Sequence, residues 1–398
     1  MSIYWSRLAS RLSPYIPGEQ PKDKKFIKLN TNENPYPPSP KALEAIQKAA
    51  NADLRLYPDP ACTLLREAAA KRWDIKTEQV FCGNGSDEIL AFAFAAFFDS
   101  APDGKMLDSN ATGSKMSVGN APVDHKPILF PDITYSFYPV YAALWDIPYK
   151  TPSLNKDFSI NPDDYKHNCG GVIIPNPNAP TGRALSIDAL REIADAQEKN
   201  KKVLVVDEAY IAFANGSGTG AGTGSIGTLI PYINDHPNLL VIRTLSKDAA
   251  FAGLRAGYAA GSKELIEGLI RVKDSFNSYT MGSMALAASA AAVLDVPYYD
   301  DINQRICQTR DRVTKELVKL GFDVVPSQAN FLFACPPEKA HNNTAMTAAM
   351  LFGILREQGI LVRHFNKPKI DKYLRISIGT DEEMDVFLSV CKKAITGD

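Results

Sequence analysis

No two of the six cysteines (Cys62, Cys82, Cys169, Cys307, Cys335 and Cys391) stand at C-x-x-C spacing, which argues against a structural zinc site. Cysteines scattered through a chain this long usually serve as small buried apolar residues, and a reducing compartment suits them. The five histidines are equally dispersed, so neither a metal triad nor a Ser-His-Asp arrangement is suggested. Charge of one sign is lacking too. A formal net charge of -1 gives no electrostatic reason to coat nucleic acid or an anionic membrane. The longest apolar run, Ile89 to Phe98, is too short to span a bilayer. The N-terminal stretch MSIYWSRLASRL alternates apolar and basic residues and lacks the continuous apolar run of a secretory leader. A cytoplasmic location is therefore expected.

What is present is the material of a folded enzyme. Of 398 residues, 45% are hydrophobic and 22% charged, and the length exceeds one compact core. Short β-branched apolar runs (VFCG, GGVIIPNP, KKVLVVDEAY, NLLVIRTLSK, RAGYAAG) alternate with helical segments such as SIDALREIADAQEKN. Apolar strands alternating with helices predict an α/β fold whose central sheet is mostly parallel and covered on both faces. Ser39 and Pro40 open a helix through KALEAIQKAA, and another amphipathic helix runs from Thr63 to Trp73. Beyond about Ser283 the pattern changes. A small-residue helix, a charged helix near Gln304 to Leu320, the strands FDVVPSQANFLFAC, ILVRHF and YLRISIGT, and a last helix predict a smaller α+β domain. The expected division is an N-terminal arm over 1–50 packing with the small domain, a large domain over 51–283 and the small domain over 284–398.

Two stretches read as exposed inserts: about Asp99 to Lys126, and the Gly/Ser/Thr-rich Ala214 to Gly227. The second holds a formal G-x-G-x-x-G at Gly222, Gly224 and Gly227. It lies in a glycine run rather than a tight strand-to-helix turn, so it is rejected as a dinucleotide fingerprint.

Lys247 follows an apolar strand, and strand ends are where α/β sheets bind ligands. Its neighbours Ser246 and Arg255 would bring a hydroxyl and a guanidinium to the same strand end. That set suits a phosphorylated carbonyl cofactor, the amine forming an imine and the other two groups holding phosphate. Asp207 ends VLVVD, where an acid is costly without a partner. It either caps, pairs ionically or keeps a pyridine nitrogen protonated. Strand alternation turns its rival Glu208 the other way. Tyr210, three residues on, could reach a cofactor's phenolate oxygen or fill the core. In CGNGSDE, Ser86 and Asp87 stand at a helix start, where free amides bind phosphate or the side chains simply cap. Tyr135 stacks on a planar ring or is a core aromatic. Arg363 and Arg375, in apolar strands, need an anion, whether substrate or an ordinary ion-pair partner.

Taken in order, SPYIPGEQP, LNTNENPYPP, YPDP, GNGSDE, TYSFY, PNPNAPTG, VDEAY, TLSK with AGLRAGY, PSQANF and YLRISIGT resemble the fold-type I pyridoxal-phosphate aminotransferases, and more closely the histidinol-phosphate aminotransferase family, over nearly the whole chain. The resemblance implies pyridoxal 5'-phosphate on Lys247, with the same lysine later carrying a proton between substrate carbon and cofactor. It places Asp207 on the pyridine nitrogen, Tyr210 on the phenolate oxygen and Tyr135 on the ring. Ser86, Asp87, Ser246 and Arg255 would hold the phosphate. Tyr57 would reach the phosphate of a neighbouring subunit, which implies a homodimer with shared sites. Tyr15, Asn34, Asn330, Arg363 and Arg375 would line the substrate pocket, Arg375 being the main anion clamp. The sequence departs from the family where Ala179 replaces the asparagine before proline, so that either Asn178 substitutes or a phenolate contact is lost. DAAF after Lys247 replaces an aromatic-containing stretch, and both inserts are longer than usual.

The expected reaction is transamination of L-histidinol phosphate with 2-oxoglutarate, on small-molecule substrates with no nucleic-acid or membrane partner. A decarboxylase of a phosphorylated amino acid, an aromatic aminotransferase and a non-catalytic cofactor-binding protein are the alternatives.

Overall fold

The computed structural model describes residues 3–15, 18–19, 26–100, 126–214 and 224–397. Most of both expected inserts, and Gly222, lies outside the described residues. The larger sheet has seven strands, in spatial order Val80–Gly83, Gly257–Gly261, Leu239–Thr244, Leu204–Asp207, Val172–Pro175, Ile128–Leu129 and Tyr149–Lys150. All neighbours run parallel except Gly257–Gly261, which is antiparallel to both of its partners.

The continuous apolar character of these strands has a physical cause. Val172, Ile174, Leu204, Val206, Leu239 and Val241 pack into a core on one face. Ile173, Val205, Leu240 and Ile242 pack into another on the opposite face. Alternate side chains point to opposite faces, so a sheet covered on both sides needs an apolar residue at every position. Helices Thr63–Trp73, Ile187–Lys199 and Ser283–Leu294 cover the first face, and Ser86–Phe97 with Lys263–Phe276 the second. Serines at residues 39, 186 and 262 start helices by accepting from the backbone amide three residues on.

A second, antiparallel sheet of four strands follows the order Arg363–His364, Leu374–Ser377, Phe331–Cys335 and Asp323–Val325. Helices Val296–Lys319, Ala348–Glu357 and Asp381–Thr396 supply its core, with Val313, Leu317, Leu351, Leu355 and Phe387 packed on Leu332 and Ile376. The expected α/β class, with a mostly parallel sheet and a smaller α+β unit, is the fold found.

Four details differ from the sequence reading. The arm holds elements that the sequence reading does not name: Arg7–Arg11 is a helix capped by Ser6, and Ile27–Lys28 pairs in parallel with Ile360–Leu361. ILVRHF splits into two strands, Ile360–Leu361 and Arg363–His364, because each half pairs with a different partner. The charged helix begins at Val296, since Pro297 fits its first turn. Helix Tyr138–Leu144 was hidden in an aromatic run without polar alternation.

Candidate active site

Three neighbouring parallel strands, Val172–Pro175, Leu204–Asp207 and Leu239–Thr244, end at one cavity of about 260 Å³. Asp207 and Thr244 are the last residues of two of them, and both line it. Asp207 is only 5% exposed. Tyr138 Oη donates to its Oδ2 at 2.9 Å and the Ala209 amide to its Oδ1 at 3.2 Å. Burial outweighs those bonds and pushes its carboxyl up to about 6. Glu208 faces elsewhere, as alternation predicts. It accepts from Thr228 Oγ1 at 2.6 Å, the Leu229 amide at 2.7 Å and Arg243.

Lys247 enters from the turn after Leu239–Thr244. Its Nζ donates to the Thr31 carbonyl at 3.0 Å, and its own carbonyl accepts from Asn34 Nδ2 at 3.0 Å. Burial, then the Arg375 guanidinium, pulls the amine down to about 8, against the opposing pull of Glu33 and Asp87.

At the other wall, helix Ser86–Phe97 begins after Gly85, whose φ of +83° places it in the left-handed region. First-turn amides have no acceptor within their own helix. Arg255 crosses this helix start, donating to Ser246 Oγ at 3.2 Å and to Asp87 Oδ2 at 3.0 Å. Asp87 Oδ1 also accepts from Tyr135 Oη at 2.7 Å. The Asp87 carboxylate thus holds Arg255 and Tyr135 together. A Cβ at Gly257 would lie 2.9 Å from the Ser86 amide nitrogen, and one at Gly85 would lie 2.8 Å from Arg255 Nη2.

A second cavity of about 570 Å³ shares Tyr135 and Ala179 with the first and is lined by Tyr15, Arg363 and Arg375. Tyr15 packs on Phe137 with ring centroids 4.4 Å apart. Arg375 gives one amine to the Asn30 carbonyl at 2.8 Å, while its buried Nε has no protein partner. Lys369 closes one edge by donating to Asp132 at 2.7 Å.

Ser86, Asp87, Tyr135, Asp207, Tyr210, Ser246, Lys247 and Arg255 therefore meet in the first cavity, and Tyr15, Arg363 and Arg375 in the second. Asn178 lines neither cavity: its amide donates to the Ile133 carbonyl and Thr181 Oγ1, and Ala179 lines the wall. Asn34 and Asn330 line neither cavity. They act on backbone, Asn34 on Lys247 and Asn330 on the Asn32 carbonyl at 3.0 Å. Tyr57, 81% exposed, stacks on Tyr279 at 4.6 Å and lines neither cavity of its own chain. Sequence reasoning missed Thr31, Glu33, Thr244 and Tyr138.

Among the described residues, Asp195, Glu198 and His236 form one grouping with metal-ligand atoms within 4.8 Å of each other. None of them lines either cavity. Arg191 Nε donates to His236 Nε2, and His236 Nδ1 lies 3.2 Å from Asp195 Oδ1.

Solved aminotransferases share this chain trace. A histidinol-phosphate aminotransferase from Sinorhizobium meliloti, in complex with pyridoxal-5'-phosphate, superposes with TM-score 0.79 over 99% of this chain and 98% of its own, at 21% identity. The histidinol-phosphate aminotransferase from Clostridium acetobutylicum gives 0.76 over 92% and 98%, at 22% identity. These define the class by fold. The family model of aminotransferase class I and II matches residues 24–103 and 119–390, and the chain belongs to that family. Histidinol-phosphate aminotransferases from Clostridium beijerinckii and Bordetella parapertussis are 46% and 48% identical to it, over 98% and 99% of this chain and 96% and 99% of theirs. Among the described residues, no helix is long and apolar enough to cross a membrane.

Proposed function

We propose that this aminotransferase moves the amino group of L-histidinol phosphate to 2-oxoglutarate, giving imidazole acetol phosphate and glutamate, with pyridoxal 5'-phosphate as cofactor. The observation that carries the proposal is the meeting of the Lys247 amine, the buried Asp207 carboxylate and the Arg255–Ser246 pair in one cavity, next to a second lined by Arg363 and Arg375. Full-length relatives of that name support the choice of donor.

The residues fit the cofactor. The space that a Cβ at Gly85 or Gly257 would fill lies against Arg255 and the Ser86 amide, so glycine keeps an anion cradle open. The cofactor supplies an aldehyde and a protonated ring that withdraws electrons from the substrate carbon. Lys247 binds the aldehyde covalently. Freed by the substrate amine, Lys247 would take the proton from the substrate carbon that bears the amino group and return it to the carbon that entered as the cofactor's aldehyde, two atoms along. The Asp207 carboxylate would hold the ring N–H, with Tyr138 Oη already bound to its Oδ2. Ser86 and Asp87 amides, Ser246 and Arg255 would hold the phosphate, and Tyr135 would cover the ring. Tyr210 would give its hydroxyl proton to the phenolate oxygen. Arg375, with its free Nε, and Arg363 take the substrate's phosphate or a carboxylate of 2-oxoglutarate, with Tyr15 alongside.

Leu54, Leu56, Tyr57, Leu64, Phe276 and Tyr279 are exposed apolar side chains. They suit a homodimer in which Tyr57 reaches the partner's phosphate site. The arm, large and small units divide near residues 50 and 283 in this reading, and the enzyme works in the cytoplasm.

Two measurements test the proposal. Borohydride treatment of the cofactor-loaded protein leaves a covalent adduct on Lys247. Mixing with histidinol phosphate changes the cofactor absorbance and yields the keto product. No spectral change with that donor removes it as substrate, and release of carbon dioxide would favour a decarboxylase.

A further inference from the structure

We propose that Asn32 and Ser377 are positioning residues that dictate which way the Tyr210 hydroxyl points its proton. The proposal rests on the cofactor assignment above and adds residues that act on Tyr210 from behind.

The argument is a count of donors and acceptors. The backbone amide of Asn32 can only donate, and it donates to Ser377 Oγ at 2.8 Å. Ser377 Oγ has one proton of its own, and it goes to Asn32 Oδ1 at 2.9 Å. That pair of bonds fixes the Asn32 amide, because its oxygen must face the serine. Its nitrogen therefore faces Tyr210 Oη, to which it donates at 3.0 Å. Tyr210 Oη receives a proton from behind, and its own proton has no other acceptor among the described residues. The hydroxyl lines the first cavity, so that proton points into it.

The relay is rigid. Asn32 and Ser377 are each 1% exposed, and Asn330 holds the Asn32 carbonyl. Asn32 has φ +56°, a left-handed backbone that asparagine tolerates well. The Tyr210 ring stands edge-on to Phe331, with centroids 5.1 Å apart. Burial holds the phenol above its ordinary range, so it keeps a proton to give at neutral pH. Ala179, in the same small apolar cluster that Tyr210 packs against, lines the cavity where an asparagine could have donated, and the Asn178 amide donates instead to the Ile133 carbonyl and Thr181 Oγ1.

The readout is the pH midpoint of the absorbance change of the cofactor-loaded protein, which rises when the phenolate oxygen loses a donor. Asp207, Asp87, Glu33, Lys247, Arg255 and Arg375 also face this space and stay unchanged in every variant. Tyr210→Phe sets the full effect, a rise of about one pH unit, a tenfold change in proton affinity. Asn32→Gly, which keeps the left-handed backbone unstrained, is expected to raise the midpoint by about half as much. Asn32→Asp replaces the donor with an acceptor and turns the Tyr210 proton backwards, so its rise is at least that of Tyr210→Phe. Ser377→Ala frees the Asn32 amide to flip and gives a smaller rise. In the Tyr210→Phe background, Asn32→Gly moves the midpoint no further. An equal shift by Asn32→Gly in both backgrounds, or no shift in a variant that loads cofactor with the wild-type melting temperature, overturns the proposal. Absence of any Lys247 adduct in the wild-type protein would instead overturn the cofactor assignment itself.

Discussion

Lys247 and Asp207 are perturbed in opposite directions by one cause. Burial disfavours charge, so the amine is pulled down to about 8 and the carboxyl pushed up to about 6. For the amine, the neutral form is the nucleophile. At pH 7.5 roughly a quarter of such amines are neutral, against about one in a thousand for an ordinary lysine. Capture of added pyridoxal phosphate by the cofactor-free protein is therefore expected to speed up with pH through about 8 and level off above it. Stopped-flow absorbance checks this, and a rate still climbing tenfold per unit at pH 9.5 contradicts it. Asp207 behaves in the opposite sense: as pH falls through about 6 it gains a proton and its pull on a ring N–H weakens. Tyr138→Phe removes the bond that opposes burial, so the carboxyl rises further. Cofactor dissociation should strengthen by about fivefold at neutral pH, in line with a buried hydrogen bond of about 1 kcal/mol, and by more at pH 6. Equilibrium dialysis at both pH values checks the direction.

Elements explain what the sequence revealed and what it hid. Strand Leu204–Asp207 was legible because four buried residues on a two-sided sheet must be apolar until the acid that ends them. The turn from Thr244 to Lys247 was legible for the same reason. That Ala179 and not Asn178 lines the cavity was not legible, because a one-residue step in a turn changes which side chain faces it and spacing alone does not report that. Nor does motif reading show that Asn34 and Asn330 donate to backbone carbonyls. Tyr138 and the Thr31–Glu33 segment stayed hidden because their partners are hundreds of residues or a whole strand away. The helix start at Ser86, proposed above to take a phosphate, depends on close backbone approach, and that is testable at one residue. Gly257→Ala sets a Cβ 2.8 Å from the Arg243 carbonyl and 2.9 Å from the Ser86 amide, both backbone atoms that cannot swing aside. Cofactor affinity is expected to fall at least tenfold, about 1.4 kcal/mol, with a lowered melting temperature. Fluorescence titration with pyridoxal phosphate reads the first and calorimetry the second.

At the scale of the molecule, two cores with separate sheets are tied together by apolar packing, Phe213 and Tyr210 lying against the second core, and by buried polar contacts. Arg310, 1% exposed on helix Val296–Lys319, donates to the carbonyl of Phe213 at 2.9 Å and to that of Ala329 at 3.0 Å. Phe213 lies just beyond the strand that delivers Asp207, so one side chain joins the second core to the catalytic sheet. Arg310→Met keeps the apolar length but takes the guanidinium from both carbonyls, leaving that of Phe213 with only the weaker Cys307 thiol donor. A loss of about 3 kcal/mol in urea unfolding is expected, with little change in turnover per folded molecule. Equal loss of turnover and stability would show that the contact tunes the site directly.

The parallel pairing of Ile27–Lys28 with Ile360–Leu361 constrains how the molecule comes into being on the ribosome. Residues 27 and 28 find their seat only against residues 360 and 361, and the Asn32 amide waits longer still, for Ser377. Nascent chains halted before that point can build the parallel sheet and present a bare amine at 247, but cannot close the strap that accepts its proton. Such chains would hold the larger core and stay chemically idle, and activity would switch on only once residue 377 is in place rather than grow with length.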